Sequence, residues 1–232
     1  MGTSITFKCP DGTMAPGYLA RAAQPDAPGI VVIQEWWGVQ EQIKGMADRL
    51  ALAGYDALAP SLYAGKVVPY HDRAAAAKEM GSLNYLESTD NVVRGAAQYL
   101  GRNGAKVAIT GCCLGGAITI IAAGRIPELA AAICFYGIPP AQIAGPQDVK
   151  IPFQGHFAVR DDWCTPAAVD ALEKGLETTG QPSVIYRYDA DHGFVNEQRP
   201  EVYDRAVAEL AWGRMLDFCR TYLAPPNPSP VS

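Results

Sequence analysis

The chain has 232 residues, 49% of them hydrophobic, and a formal net charge of −5. That is enough apolar material for one sizeable core, and an acidic balance with no basic run argues against a nucleic-acid partner. No stretch approaches the roughly 18 uninterrupted apolar residues of a membrane span, and the N-terminal Met-Gly-Thr-Ser-Ile-Thr-Phe-Lys lacks the apolar centre of a signal peptide. Six scattered cysteines include one adjacent pair, Cys112-Cys113, and no Cys-x-x-Cys spacing. A vicinal pair is poorly placed for a disulfide, so reduced thiols, no metal centre and a cytoplasmic location are expected.

Residues 4–8 and 17–22 read as two short strands around the turn Pro10-Asp11-Gly12. Residues 30–33 form a continuous β-branched run, as in a strand buried on both faces of a parallel sheet. The run ends in Gln34-Glu35-Trp36-Trp37-Gly38. Helical spacing over 42–53 stops at Gly54, a second buried strand covers 55–59, and 64–70 is loop. Residues 73–80 begin an alanine-rich helix, and 87–100 form an amphipathic one, with Val92, Val93, Ala96 and Leu100 on one side. Strands follow at 107–109, 129–135, 151–157 and 183–188, with helices at 117–123, 166–179 and 200–222. Strand–helix alternation from residue 30 onward predicts an α/β fold, a mostly parallel doubly wound sheet flanked by helices. One domain is expected over 1–224, with a Pro-rich, disordered tail at 225–232.

In such sheets, sites form at the carboxyl ends of the strands, where Glu35, Cys113, Tyr136, Asp162 and His192 all fall. The segment Val107 to Gly116 reads strand, sharp turn, helix, with Gly111-Cys112-Cys113-Leu114-Gly115 as a nucleophile elbow. The nucleophile slot is Cys113. Its backbone is expected to be strained, with glycines two residues either side avoiding collision, and the helix start favours a thiolate. Acyl transfer also needs a base and a group to orient it. Of three histidines, His71 precedes the nucleophile and His156 lies inside an apolar strand, which leaves His192. Asp161 and Asp162 both follow the preceding strand; Asp162 is preferred, being four residues before Pro166. The oxyanion donors are expected to be the backbone N–H groups of Leu114 and Trp36.

These residues, together with Pro60-Ser61-Leu62-Tyr63-Ala64, Phe135-Tyr136-Gly137 and Asp191-His192-Gly193-Phe194, give a sequence that resembles the dienelactone hydrolase (carboxymethylenebutenolidase) family over about residues 5 to 223. The resemblance implies an α/β-hydrolase fold and a Cys113-Asp162-His192 triad. It also implies that Glu35 holds the resting thiol and takes its proton when substrate binds. The implied reaction opens an enol lactone through a thioester, giving maleylacetate or a relative in aromatic-compound degradation. The substrate would be a small lactone or ester bearing a carboxylate, and no cofactor is implied. Two arginines hold that carboxylate in the family. Arg73 matches the first; at the second, four residues after the histidine, stands Asn196, with Arg199 the nearest arginine. Trp37 and Tyr136 complete the expected substrate-binding set, with the Trp36-Trp37 pair expected either to narrow the pocket or to favour a bulkier apolar substrate. The alternatives are an esterase or lactonase for other activated esters, and a non-catalytic binding protein on the same fold.

Overall fold

The continuous apolar runs become the middle of a sheet. A computed structural model describes residues 1–224 and contains one eight-stranded sheet in the order β1-β2-β4-β3-β5-β6-β7-β8. The strands are β1 (Thr3–Lys8), β2 (Met14–Ala20), β3 (Gly29–Ile33), β4 (Asp56–Pro60), β5 (Val107–Cys112), β6 (Leu129–Phe135), β7 (Phe153–Arg160) and β8 (Ser183–Asp191). β1 and β2 pair antiparallel, β2 joins β4 antiparallel, and every other pairing is parallel. The expected tail, 225–232, lies outside the described residues. No helix of the described chain is long and apolar enough to cross a membrane.

Helices cover both faces. On one side Val31, Ile33, Ile109 and Phe153 meet α4 (Arg94–Gly101), α5 (Leu114–Arg125) and α6 (Pro166–Glu177). On the other, Ile30, Val32, Ile133 and Phe135 meet α1 (Glu41–Leu52) and α7 (Arg205–Leu223). Strands buried on both faces have no polar side, which explains their unbroken apolar sequence. Helix α5 is buried from Leu114 through Ala123, as expected of a helix that is apolar all round.

Three expectations change. The helix expected over 87–100 is built from α3 (Tyr85–Ser88), a π-type turn (Thr89–Val93) and α4. In that turn Asn91 bonds Asp11 and Asp90 bonds Arg125. β7 and β8 run three residues further than their apolar patterns, and α7 begins at Arg205, with Asp204 capping it through Val207 N–H at 3.0 Å. Helix α2 (Arg73–Ser82) is capped in the same way by Asp72, which accepts from Ala75 N–H at 2.9 Å.

Candidate active site

Five adjacent parallel strands, β3-β5-β6-β7-β8, end on one edge of the sheet. Each hands over there to a polar or reactive residue: Glu35 soon after β3, Cys113 after β5, Tyr136 after β6, Asp161 after β7 and His192 after β8. The strand order reverses between β4-β3 and β3-β5, so this edge is the crevice where open α/β sheets bind ligands.

Cys113 has φ +56° and ψ −115°, a backbone conformation that costs on the order of 1–3 kcal/mol for a non-glycine residue. It is held by its N–H to Phe135 O at 3.0 Å and by Ala117 N–H donating to its carbonyl at 3.1 Å. The flanking glycines are needed for space. A Cβ on Gly111 would lie 2.3 Å from Gly115 O, and one on Gly115 would lie 2.4 Å from Ile33 O. The turn lifts Cys113 to the N-cap of α5, partly exposed, whereas Cys112 is buried with its sulfur 3.9 Å from Met46 Sδ. Burial, reinforced by the Glu35 charge, pushes the Cys112 thiol well above its ordinary value. Of the adjacent pair, Cys113 is therefore the one available for chemistry.

His192 Nδ1 is 2.7 Å from Oδ2 of Asp161, not from Asp162. This corrects the expected orienting acid. Asp161 is buried, and its Oδ1 accepts from Trp163 N–H at 2.7 Å and Cys164 N–H at 2.9 Å. Asp162 is exposed and borders the cavity mouth. Burial alone would raise the Asp161 carboxyl; the His192 contact and the two backbone donors outweigh it and hold the group below its usual range. Burial would likewise lower His192, but Asp161 and the Cys113 sulfur raise it to about 10.

Glu35 is buried at 3% exposure, and burial is the main cause holding its carboxyl above the ordinary range. The Tyr136 hydroxyl donates to its Oε1 at 3.1 Å and Asn196 Nδ2 donates to its Oε2 at 2.8 Å. The hydrogen-bond partners of the Glu35 carboxyl are thus Tyr136 and Asn196, and Glu35 and Cys113 border the same cavity. Two expected substrate contacts, Tyr136 and Asn196, are fully buried against Glu35 instead.

A cavity of about 460 Å³ opens above Cys113 and His192, bordered by Glu35, Trp36, Arg73, Met80, Trp163 and Arg199, among others. Arg73 lies at the start of α2 with its guanidinium 5.9 Å from the Trp36 ring, and Arg199 Nε donates to Glu201 at 2.9 Å. Of the two candidates for a second cationic contact, the cavity wall contains Arg199 and not Asn196. Trp37 is buried, packed edge-on against Trp36 and Tyr70, and borders a smaller neighbouring cavity of about 250 Å³ instead of the main one. Leu114 is the first residue of α5, so its N–H has no intrahelical acceptor. Trp36 follows Glu35 in a loop tightened by Gly38 N–H donating to Glu35 O at 3.2 Å.

A family model described as "Dienelactone hydrolase family" matches residues 15–223. The chain belongs to the dienelactone hydrolase family. It is a hydrolase of the α/β-hydrolase fold. "Protein usf" of Aquifex pyrophilus is 30% identical across 96% of this chain and 100% of its own length. "Putative carboxymethylenebutenolidase" of Escherichia coli (strain K12) is 33% identical across 91% of this chain and 84% of its own. A solved structure from Klebsiella pneumoniae subsp. pneumoniae MGH 78578, described as "Putative Dienelactone Hydrolase", superposes with a TM-score of 0.83 at 30% identity, covering 96% of this chain and 100% of that one.

In this member of the dienelactone hydrolase family, sequence reasoning missed Trp163, Arg160, Asp191 and Glu201 as parts of the cavity wall. Trp163 is 63% exposed, with its ring 6.2 Å from Trp36 and 6.5 Å from His192. Its signal was an apolar residue directly after the two acids, in a loop at a strand end. Arg160 is bonded to Asp189 and Asp191, an association that only the pairing of β7 with β8 creates.

Proposed function

We propose that this protein is a cysteine-dependent hydrolase that opens a carboxylate-bearing enol lactone, of the dienelactone-to-maleylacetate type, through a thioester. The observation that carries the reading is the chain Asp161–His192–Cys113, with Asp161 at 2.7 Å from His192 and Cys113 on a strained elbow beneath a cavity whose wall includes the guanidinium groups of Arg73, Arg160 and Arg199. Asp161 fixes the proton on Nδ1 and stabilises the imidazolium. The Cys113 thiolate attacks the lactone carbonyl, and the N–H groups of Leu114 and Trp36 receive the developing oxyanion. The ring C–O bond breaks, the departing enolate takes the proton from the His192 imidazolium, and the acyl group remains on sulfur. Water then attacks the thioester, giving a proton to His192 as the thiolate departs. A delocalised enolate is a good leaving group, which suits a sulfur nucleophile. Glu35, kept above the usual carboxylate range by burial, serves as the proton store for the Cys113 thiol. Arg73 and Arg199 take the substrate carboxylate.

The acids in the cavity wall favour a second reading, an esterase for neutral activated esters. Asp162, Asp191 and Glu201 border the same space as the arginines, and Glu201 already holds Arg199. Hydrolysis of cis- and trans-dienelactone and of p-nitrophenyl acetate, by the protein and by Cys113→Ala, decides between them. Dienelactone much the best substrate, with all activity lost in the variant, supports the lactone reading. Turnover of the aryl ester alone, still through Cys113, supports the esterase. Unchanged rates in Cys113→Ala overturn the mechanism.

A further inference from the structure

Both hydrogen-bond partners of the Glu35 carboxyl are neutral groups. Oε2 accepts from Asn196 Nδ2 at 2.8 Å, and Oε1 lies 3.1 Å from the Tyr136 hydroxyl. Glu35 is 3% exposed, and Asn196 and Tyr136 are fully buried. The orientation of the Asn196 amide is fixed. Gln198 N–H donates to Asn196 Oδ1 at 3.1 Å. A backbone N–H can only donate, so the amide oxygen must face it and the amide NH₂ must face Glu35. The same residue pins the turn that follows His192. Its N–H donates to Gly193 O at 2.9 Å, and its carbonyl accepts from Arg199 N–H at 3.0 Å.

An NH₂ group pointed at Oε2 requires that oxygen to remain an acceptor. Tyr136 has no such restriction, because a hydroxyl can donate to a carboxylate oxygen or accept from a carboxylic O–H. We propose that Asn196 is a positioning residue: it holds Oε2 as a permanent acceptor and confines the exchangeable proton of Glu35 to Oε1, against the Tyr136 hydroxyl. Glu35 then changes protonation state without moving a heavy atom. The inference rests on Glu35 as proton store for Cys113. In that step the proton leaves the Cys113 sulfur, which keeps the electron pair, and ends on Oε1. Thiol plus carboxylate become thiolate plus carboxylic acid, with no change of oxidation state. Other ionisable groups act on this proton from every side. His192 and Arg199, from the segment after β8, favour the carboxylate. Its charge in turn opposes ionisation of Cys112 on β5, of Tyr136 after β6 and of Tyr70 in the loop before α2.

The test is infrared difference spectroscopy between acidic and alkaline pH on the whole protein, with Glu35→Gln, Asn196→Leu and Asn196→Ala. The expected result is a carboxylic-acid C=O band that grows in as the pH falls, at a higher pH than for an exposed glutamate, and that is missing in Glu35→Gln. In Asn196→Leu the band moves to higher frequency, because the C=O loses its donor, and it persists to a pH about one unit higher. Asn196→Ala removes the same donor without adding bulk or charge, so it gives the same upward shifts if the leucine variant fails to fold. A band unchanged in frequency and pH range in both variants overturns the proposal, and so does the absence of any Glu35 band in the native protein. The Cys113→Ala assay stays independent of these spectra. Loss of activity there with no Asn196 effect in the spectra refutes the positioning role and leaves the hydrolase reading standing, while full activity there refutes the Cys113 mechanism and with it Glu35 as its proton store.

Discussion

Replacing Asp161 by Asn separates the two adjacent acids and tests the hydrogen-bond logic of the site. Asp161 uses both oxygens, Oδ1 for the N–H groups of Trp163 and Cys164 and Oδ2 for His192 Nδ1. In Asp161→Asn the single amide oxygen must take the place of Oδ1, because an NH₂ there would face two donors. The amide NH₂ then points at His192 Nδ1, which must become an acceptor. The imidazole proton moves to Nε2, the nitrogen left for Cys113, and the ring can no longer accept a proton there. The variant also loses the negative charge that helps to raise His192 to about 10. A wrong tautomer and a lost counter-charge together are expected to lower kcat by roughly 10³- to 10⁴-fold, about 4 to 5 kcal/mol of barrier. Asp162→Asn, at an exposed residue on the cavity mouth, should change kcat/KM less than about tenfold. Steady-state hydrolysis of p-nitrophenyl acetate and dienelactone by both variants reads the difference. A collapse in Asp162→Asn with near-normal rates in Asp161→Asn would refute the reasoning.

Three other outcomes are expected. His156 is buried in a closed relay: Arg214 donates to the Tyr188 hydroxyl at 3.1 Å, that hydroxyl is 2.8 Å from His156 Nδ1, and Nε2 is 2.9 Å from Gln154 Oε1. Burial, with the charge of Arg214, lowers His156 to about 3, so between pH 6.5 and 3 the unfolded chain binds the extra proton and stability falls as pH falls. From pH 6.5 to 5 the loss should be about 1.5 kcal/mol in urea titrations, and His156→Gln should flatten that slope; an equal slope in the variant would count against the assignment. Gly115→Ala would put a methyl 2.4 Å from Ile33 O, so it should destabilise by about 3 kcal/mol or more and abolish activity, as thermal unfolding and an ester assay would show. Trp163→Ala removes a 63%-exposed ring, so stability should stay within about 0.5 kcal/mol while KM for aryl esters rises several-fold; an unchanged KM would mean that the substrate does not use this rim.

The sequence by itself determined the sheet and the chemistry it presents. Strands buried on both faces have to be apolar throughout, so 30–33 and 129–135 could be read directly. An elbow admits only small residues beside its nucleophile, which made Cys113 legible as the proposed nucleophile, and three histidines left His192 as the proposed base. The choice between Asp161 and Asp162 belonged to the tertiary structure. The pairing of β7 with β8 shifts register between Ala158 and Arg160, and such an irregularity breaks the alternation of a strand and re-aims the residues beyond it. Asp161 therefore turns inward to His192 and Asp162 outward to solvent, although the two carboxylates are chemically the same. Asn196 shows the same division. Its spacing after His192 suggested a substrate contact, but the turn from Gly193 to Arg199 folds it beneath the cavity onto Glu35, 161 residues away in the chain. Local sequence carries residue type and periodicity; which of two neighbouring polar groups faces the site depends on strand register and turn geometry, and contacts distant in sequence set both.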